Sequence, residues 1–249
     1  MRQRRQRQKN QQHDHGVDMA DLTFLSEMVP SSTQAVELWY ESQRKPRHHL
    51  GLSQAGNKCP RYLWYTHHGY EGKKIEGRIL RLFQLGNLLE DQVVADLRAC
   101  GFNLYHQQRK VVFTQGETKL VGHIDGIIEG LLESPATPHL FECKSASKKK
   151  FEELLKLGSY RKWNETYFWQ LQFYMLGLKL KRAAAFVYCK DDSRLYMERV
   201  KLDREATIEK LNLIFEAITS PVEPDRKCPR ADWYEAKWCD YYGECFGSR

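Results

Sequence analysis

Two acidic residues and a lysine lie where two predicted strands could bring them together. Asp125 belongs to one predicted strand, and Glu142 and Lys144 lie two positions apart on the next. Because side chains alternate across a strand, Glu142 and Lys144 project from one face and Cys143 from the other. If the strands are neighbours, two carboxylates and an ammonium converge, and such oxygen donors suit Mg²⁺ or Mn²⁺. This site could hydrolyse a phosphodiester, with Lys144 positioning water or offsetting phosphate charge. The alternative is a solvated salt bridge on an exposed strand.

A helix predicted over residues 163–180 is apolar almost all round, which indicates that it is buried. Gln170 and Tyr174 are four residues apart and therefore share one face of it. Buried polar side chains need hydrogen-bonding partners, and a charged site would provide them. The alternative is that Gln170 lies on a narrow polar side of the helix and faces solvent.

A long helix predicted over residues 77–99 carries Gly86 and Glu90 one turn apart. A glycine there could allow another segment or a phosphate to approach closely. A surface glutamate on a helix is commonplace, so this pair alone indicates little.

The elements that would position these residues follow from the periodicity of apolar residues. The predicted helices cover residues 18–28, 32–44, 52–67, 77–99, 151–157, 165–180 and 203–219. The predicted strands cover residues 110–113, 120–128, 139–144, 183–189 and 195–200, and Pro221 and Pro224 then end regular structure. This order predicts an α/β fold with a mixed central sheet flanked by helices and a helical N-terminal subdomain.

Charge and length narrow the class of protein. The 249 residues suffice for one substantial domain, with a net charge of +7 and a pI near 9.0. Residues 1–17 form a basic arm that supplies four of these charges and, lacking apolar periodicity, is expected to be disordered. No apolar run approaches the roughly 20 residues of a membrane span, and the N-terminus lacks the apolar core of a secretory signal. The basic balance favours nucleic acid as a partner, and a charge surplus that serves only solubility is the alternative.

The seven cysteines, without an export signal, indicate a reducing compartment in which metal binding or catalysis is favoured over disulfides. Three dispersed cysteines are expected to be small core residues. Cys59 lies early, and three more crowd the last 22 residues. The dispersed three are Cys100, Cys143 and Cys189, and the late three are Cys228, Cys239 and Cys245.

Taken together, these motifs resemble the PD-(D/E)XK nuclease superfamily, with its restriction-endonuclease-like core. The order is Gly-x3-Glu on a helix, Gly-His-Ile-Asp on a strand, Glu-x-Lys on the next strand and Gln-x3-Tyr on the following helix. The match is closest to the RecB-like group, which includes nuclease domains of bacterial recombination helicase–nucleases, CRISPR adaptation-associated nucleases and viral exonucleases. The resemblance runs from about Gly86 to Val200.

The resemblance implies roles for these positions. Asp125 and Glu142 would bind the divalent metal with the main-chain carbonyl of Cys143, and Lys144 would be the catalytic lysine. Glu90 would take the place of the metal-binding histidine that many RecB-like members have. Gln170 and Tyr174 would orient the lysine or the DNA.

The resemblance also implies a 4Fe–4S cluster, which several RecB-like nucleases hold with one cysteine before the core and three after it. Cys59 resembles the first ligand, and Cys239 and Cys245 resemble the last two. The family's second ligand would stand at Ala236, so Cys228 is the nearest candidate, and it departs from the family spacing. A zinc site with four cysteine ligands and a set of free cysteines are the alternatives.

Basic residues after the Glu-x-Lys strand could contact DNA phosphates; a merely solvated charged face is the alternative. They are Lys148, Lys149, Lys150, Arg161 and Lys162.

The expected protein is therefore a metal-dependent DNA exonuclease of recombination, repair or replication, in the cytoplasm of a prokaryotic or phage-infected cell. A recombination or replication protein is an expected partner. An endonuclease of flap or restriction type and a non-catalytic DNA-binding module are the alternatives. The expected layout is a single nuclease domain over residues 18–249, with a helical part (18–100), a core (108–220) and a Cys-rich tail (221–249).

Overall fold

A computed structural model describes residues 31–44 and 49–247 of the chain. The predicted basic arm and the helix predicted over residues 18–28 lie outside this part. The helices are α1 (Ser32–Gln43), α2 (Pro60–His67), α3 (Gly77–Ala99), α4 (Lys148–Leu157), α5 (Tyr160–Trp163), α6 (Glu165–Leu178), α7 (Arg204–Thr219), α8 (Tyr234–Lys237) and α9 (Tyr242–Phe246). The strands are β1 (Asn103–Tyr105), β2 (Lys110–Gln115), β3 (Thr118–His123), β4 (Gly126–Glu129), β5 (His139–Ala146), β6 (Arg182–Cys189) and β7 (Leu195–Lys201).

A five-stranded mixed sheet forms the centre of the described fold, in the order β1-β4-β5-β6-β7. Only β5 and β6 run parallel, because α4, α5 and α6 form the crossover between them. The other neighbours are antiparallel, and β2 and β3 form a separate hairpin. The α/β class with a mixed central sheet flanked by helices is confirmed, and it is consistent with a restriction-endonuclease-like core.

The two faces of the sheet are covered by different helices. On one face, β5 and β6 pack with α4, α6 and α7 around Leu140, Phe151 and Phe173. On the other face, α3 packs Val93 and Leu97 against the same strands. Strand β6 is apolar and almost wholly buried, as expected of a strand covered on both faces. The site strand β5 is therefore enclosed from both sides along most of its length.

One predicted strand is wrong in a way that affects the site. Residues 120–128 do not form one strand, since β3 ends at His123 and β4 begins at Gly126, in different sheets. Asp125 therefore lies in a bend between two strands and not inside one. The sequence does not reveal this break, because the isoleucines on both sides of it, Ile124, Ile127 and Ile128, are all buried.

The predicted helix over residues 52–67 is also shorter than expected. Residues from Gly51 to Gly56 form turns, and α2 begins only at Pro60, with Cys59 as its N-cap residue. Proline favours the first turn of a helix, where its missing N–H has no partner to lose. The turn segment itself pairs with the hairpin through Leu52 N–H and Val121 C=O.

Other differences are smaller. Strand β1 and helix α5 were not predicted from the sequence, nor were two short helices, α8 and α9, in the tail after Pro224. Cys143 and Cys189 are buried as predicted, but Cys100 is exposed. Within the described residues, none of the helices combines the length and apolar character that crossing a bilayer requires.

Candidate active site

Glu142 and Lys144 meet on one face of β5. Lys144 Nζ lies 2.6 Å from Glu142 Oε1, while the Cys143 side chain packs on the opposite face with α3. Glu142 is fully buried, and the Lys144 side chain is 23% exposed. The predicted alternation of side chains is confirmed. The Glu142–Lys144 pair is partly enclosed by the protein, unlike a salt bridge on an exposed strand.

Asp125 reaches this pair because β4 begins only at Gly126, which leaves Asp125 just outside the strand. The last paired residues of these strands are Gly126 and Phe141, so Cys143 has no strand partner on that edge. Its N–H donates instead to Asp125 Oδ2 at 2.9 Å. In an extended strand the N–H and C=O of one residue point to the same side. The Cys143 carbonyl therefore faces the edge where Asp125 lies.

Helix α6 supplies the polar residues that were predicted for it. Gln170 is buried, and its Nε2 donates to Glu142 Oε1 at 2.5 Å, so the solvent-facing alternative for Gln170 is wrong. Tyr174 is buried one turn later beside Gly122. A Cβ at Gly122 would lie 2.6 Å from the Tyr174 hydroxyl oxygen, so only glycine leaves room for this ring.

Glu90 approaches from the other side of the sheet. It lies on α3, which packs on the face opposite to Glu142. Burial, together with the Asp125 charge, raises the pKa of Glu90 to about 7, although Lys144 opposes this shift. A Cβ at Gly86 would meet Ser145 Oγ at an ordinary 3.6 Å, so that glycine is not required for the packing of the protein.

The site carries more negative than positive charge. Burial first and the Asp125 carboxylate second raise the pKa of Glu142 to about 8, although Lys144 opposes this shift. Burial likewise raises the pKa of Asp125. Burial alone would lower the pKa of Lys144, but the Glu142 and Asp125 carboxylates outweigh it and hold that pKa well above its usual value. One ammonium therefore faces three acidic side chains.

The donors at this site fit a small hard cation. Glu142 Oε2 is a buried oxygen with no hydrogen-bond partner among the described residues, although its companion oxygen has two. A buried oxygen without a hydrogen-bond partner destabilises the fold unless a ligand binds to it. Within the same residues, no three His, Cys, Asp or Glu side chains form a ready-made metal site. Mg²⁺ is commonly held by one or two carboxylates together with substrate phosphates, which is what Asp125 and Glu142 could offer.

Tyr160 is a site residue that sequence reasoning missed. It opens the short helix α5, is fully buried, and its hydroxyl has no hydrogen-bond partner in the described part of the chain. Its main-chain N–H is fixed by Glu198 of β7. Burial raises the pKa of the Tyr160 hydroxyl, with Lys144 opposing and Glu142 adding to the shift. Nothing in its local sequence, Ser-Tyr-Arg-Lys, distinguishes it from a surface tyrosine.

The four cysteines predicted to bind a cluster lie in one region of the fold. The thiol pKa is raised at Cys228, Cys239 and Cys245. Burial is the largest cause at each of the three, and the nearby Cys59 thiol contributes to each. For Cys239 the pKa reaches about 11. The described residues do not gather three of these thiols at metal-binding distances. The structure thus brings the four together without showing a ligand set.

The predicted DNA-contacting residues lie on two exposed stretches. Lys148 is 3.9 Å from Asp192, and Lys150 pairs with Glu153 at 2.7 Å. Lys149 and Lys162 make no ion pair with the described residues. Arg161 lies over the Phe168 ring, 4.8 Å from its centroid. Lys149 on α4 and the two cations of α5 are therefore available to an anionic ligand.

No protein-family model matches this sequence, and no curated protein matches it. Among solved structures, the chain is similar to the crystal structure of SSO0001, with a TM-score of 0.44, 16% identity and coverage of 80% of this chain and 87% of that one. It is also similar to an alkaline exonuclease (LHK-Exo) from Laribacter hongkongensis, with a TM-score of 0.49, 14% identity and coverage of 73% and 90%. The complex of LHK-Exo with dAMP gives a TM-score of 0.46 at 16% identity, with the same coverage.

Proposed function

We propose that this chain is a divalent-metal-dependent DNA nuclease of the PD-(D/E)XK type. The observation that carries the proposal is the state of Glu142. Its carboxylate is fully buried, one oxygen is held by Lys144 and Gln170, and the other has no hydrogen-bond partner among the described residues. A stable fold has no use for such an oxygen, whereas a metal site does.

The residues that would hold Mg²⁺ or Mn²⁺ are Asp125, Glu142 and the main-chain carbonyl of Cys143, with Glu90 contributing from α3. A bound divalent ion would polarise the scissile phosphate and lower the pKa of a bound water. The Cys143 N–H fixes one oxygen of Asp125 and leaves the other free to serve as a donor.

Lys144 and its neighbours have distinct tasks in this proposal. The ammonium of Lys144 is kept protonated by the carboxylates around it, so it can offset charge that develops on the phosphate. Gln170 holds Glu142 Oε1, which fixes the direction of the carboxylate. Tyr174 packs behind this pair and limits the entry of water.

Exonuclease action on DNA, in recombination, repair or replication, is the finer part of the proposal and rests on the resemblance to RecB-like nucleases. An endonuclease would use the same residues. A non-catalytic DNA-binding module would have no need for a buried lysine between carboxylates, so the geometry favours an enzyme.

A cluster in the tail is a separate proposal. Cys59, Cys228, Cys239 and Cys245 provide the four thiolates that a 4Fe–4S cluster requires. The mutual influence of their thiols supports this set, and a structural zinc ion is the chemical rival.

Cleavage of end-labelled DNA tests the activity. With Mg²⁺ or Mn²⁺, linear DNA should be degraded from its ends, and closed circular DNA should survive. Asp125→Asn removes a charge that a metal ion needs, and Lys144→Ala removes the group that offsets phosphate charge. Each should lower the rate by at least about a hundredfold, since single catalytic groups commonly contribute that much.

Two exposed residues give matched controls. Asp225→Asn and Lys201→Ala make the same chemical changes on the surface and should cut DNA as the wild type does. If Asp125→Asn or Lys144→Ala kept the wild-type rate, the proposed site would be wrong. Rapid linearisation of a supercoiled plasmid would instead favour an endonuclease.

A further inference from the structure

A groove of about 660 Å³ lies between the tail and the start of α6. One wall carries Arg161, Lys162 and Trp163 of α5. The other wall carries Lys227 and Glu235 of the tail. We call this space the tail groove. Its walls come from segments far apart in sequence, so it exists only when the tail is folded against the core.

The tail groove has an excess of positive charge. Each of its acidic residues already has a lysine partner, since Lys58 Nζ lies 2.7 Å from Glu165 and Lys227 Nζ lies 2.6 Å from Glu235. The two cations of α5 make no ion pair with any described residue. They would attract an anionic ligand, and a groove lined in this way suits a chain of phosphates.

The tail segment that contributes Glu235 to the groove also carries exposed aromatic side chains. Trp233, Tyr234 and Trp238 are 43%, 76% and 74% exposed, respectively. None of the three rings stacks on another ring in the described part of the chain. Trp233 also hydrogen-bonds to Glu235, which lines the groove. Large exposed aromatics beside basic residues are a typical platform for unpaired bases.

Helix α5 connects the groove with the candidate active site. The first residue of that helix, Tyr160, is buried beside Glu142 and Lys144. The last, Trp163, lines the groove and donates its indole N–H to the Lys150 carbonyl of α4. A strand lying in the groove would therefore run along a helix that touches the site.

We propose that the tail groove binds a single-stranded segment of DNA, with phosphates on Arg161 and Lys162 and a base stacked on Trp233. This rests on the proposed nuclease function, because it names the form of the substrate that reaches the same site. Every base has an aromatic face, so stacking of this kind tolerates any sequence. A duplex has its bases stacked internally and cannot use Trp233 in this way.

Fluorescence anisotropy tests the proposal with the full chain in EDTA, where hydrolysis does not interfere. The probes are an end-labelled oligothymidylate of about 15 nucleotides, an abasic strand of equal length and a duplex of equal length. Wild type should bind oligothymidylate most tightly. Trp233→Ala should weaken that binding by about tenfold and leave the abasic strand unaffected. Trp233→Phe should restore most of the loss.

The proposed phosphate contacts are tested separately, through the affinity for each strand and its dependence on salt. Lys162→Gln should weaken both single strands and reduce the slope of log K against log salt by about 0.7. Lys119→Gln removes an exposed cation from β3, away from the groove, and should change neither. Equal binding of oligothymidylate by wild type, Trp233→Ala and Lys162→Gln would overturn the proposal.

Failure of the nuclease function would look different. Binding is measured without a divalent metal and does not depend on cleavage. If wild type prefers single strands through Trp233 but cuts no DNA with Mg²⁺ or Mn²⁺, the groove stands and the nuclease proposal falls. If it cuts DNA while the groove variants bind as wild type, the groove proposal falls alone.

Discussion

At the scale of single residues, two buried oxygen atoms distinguish the candidate site from ordinary core. Glu142 Oε2 and the Tyr160 hydroxyl both lack partners among the described residues and lie near Lys144. An unpartnered buried polar group costs about 1–3 kcal/mol. Proteins keep such groups where binding or catalysis uses them, so both atoms should matter for activity more than for stability.

Tyr160→Phe separates these two effects, because it removes only the hydroxyl. The unfolding free energy should stay the same or rise by about 1 kcal/mol, since no protein hydrogen bond is lost. The kcat for DNA cleavage should fall by about tenfold with KM unchanged, because the hydroxyl lies beside Lys144 and away from the surface that binds DNA. Urea unfolding and steady-state cleavage measure the two quantities.

Tyr188→Phe is the control for that variant. Its hydroxyl bonds to Ser193 on an exposed turn, so neither stability nor kcat should change much. A Tyr160→Phe protein that unfolds more easily but cuts at the wild-type rate would assign the hydroxyl a structural role.

At the scale of elements, the site depends on how closely α6 approaches the hairpin. Tyr174 of α6 fits against Gly122 of β3, and Leu52 lies against the same glycine. Helix α6 can be buried on several sides because its surface is nearly all apolar. The hairpin therefore acts as a support that holds Tyr174, and with it Gln170, against Glu142.

Gly122→Ala should disturb this support. The added Cβ would lie 2.6 Å from the Tyr174 hydroxyl and 2.9 Å from Leu52 Cβ. Overpacking of this kind typically costs about 1–3 kcal/mol. The unfolding free energy should fall by that amount, and DNA cleavage should fall with it as Tyr174 and Gln170 shift. Chemical denaturation and a cleavage assay at a temperature where the variant is folded test both.

Gly86→Ala provides the comparison within a helix. Its Cβ would make only an ordinary contact with Ser145. Alanine is a better helix former than glycine, so the unfolding free energy should rise by about 0.5–1 kcal/mol. A larger loss in Gly86→Ala than in Gly122→Ala would contradict the packing described here.

The elements also show what periodicity can and cannot predict. The helix from Gly77 to Ala99 is as predicted because its apolar stripe is long and regular. The break at Asp125 was not predicted, because the isoleucines on both sides of it are buried, as they would be in one continuous strand. Of the site residues, Glu142, Lys144 and Gln170 were predictable from alternation and motif order. Tyr160 was not, because its burial depends on a contact with Glu198 of β7.

At the scale of the whole molecule, the tail packs against helix α2. The Tyr62 hydroxyl donates to Asp240, and the Tyr241 hydroxyl donates to Thr66. Cys239 and Cys245 pack beside these rings. The described part of the tail has two short helices, so a metal cluster here would stabilise a segment that has little regular structure.

The cysteine proposal is tested by the colour and metal content of protein purified without oxygen. The protein should be yellow-brown, with about four irons per chain. Cys59→Ala and Cys245→Ala should lose the colour and unfold more easily, because a ligand is lost. The exposed Cys100 lies apart from this region, so Cys100→Ala should keep the colour.

Cys228 decides the ligand set. A Cys228→Ala protein that retains the full colour and iron would exclude it as a ligand. A colourless wild type with stoichiometric zinc would replace the iron–sulfur proposal by its rival and leave the nuclease site untouched.

The long-range bonds of α2 have a consequence for how the protein is made. Trp64 donates to the carbonyl of Ser220, and Tyr65 donates to Glu223, partners more than 150 positions later in the chain. On a ribosome, α2 emerges long before these partners, whereas every predicted catalytic residue lies between Glu90 and Tyr174. The catalytic residues can therefore assemble on the nascent chain first, and the tail groove forms only after the tail has emerged. During translation, the proposed catalytic residues would be in place before the tail groove, which is proposed to bind the substrate.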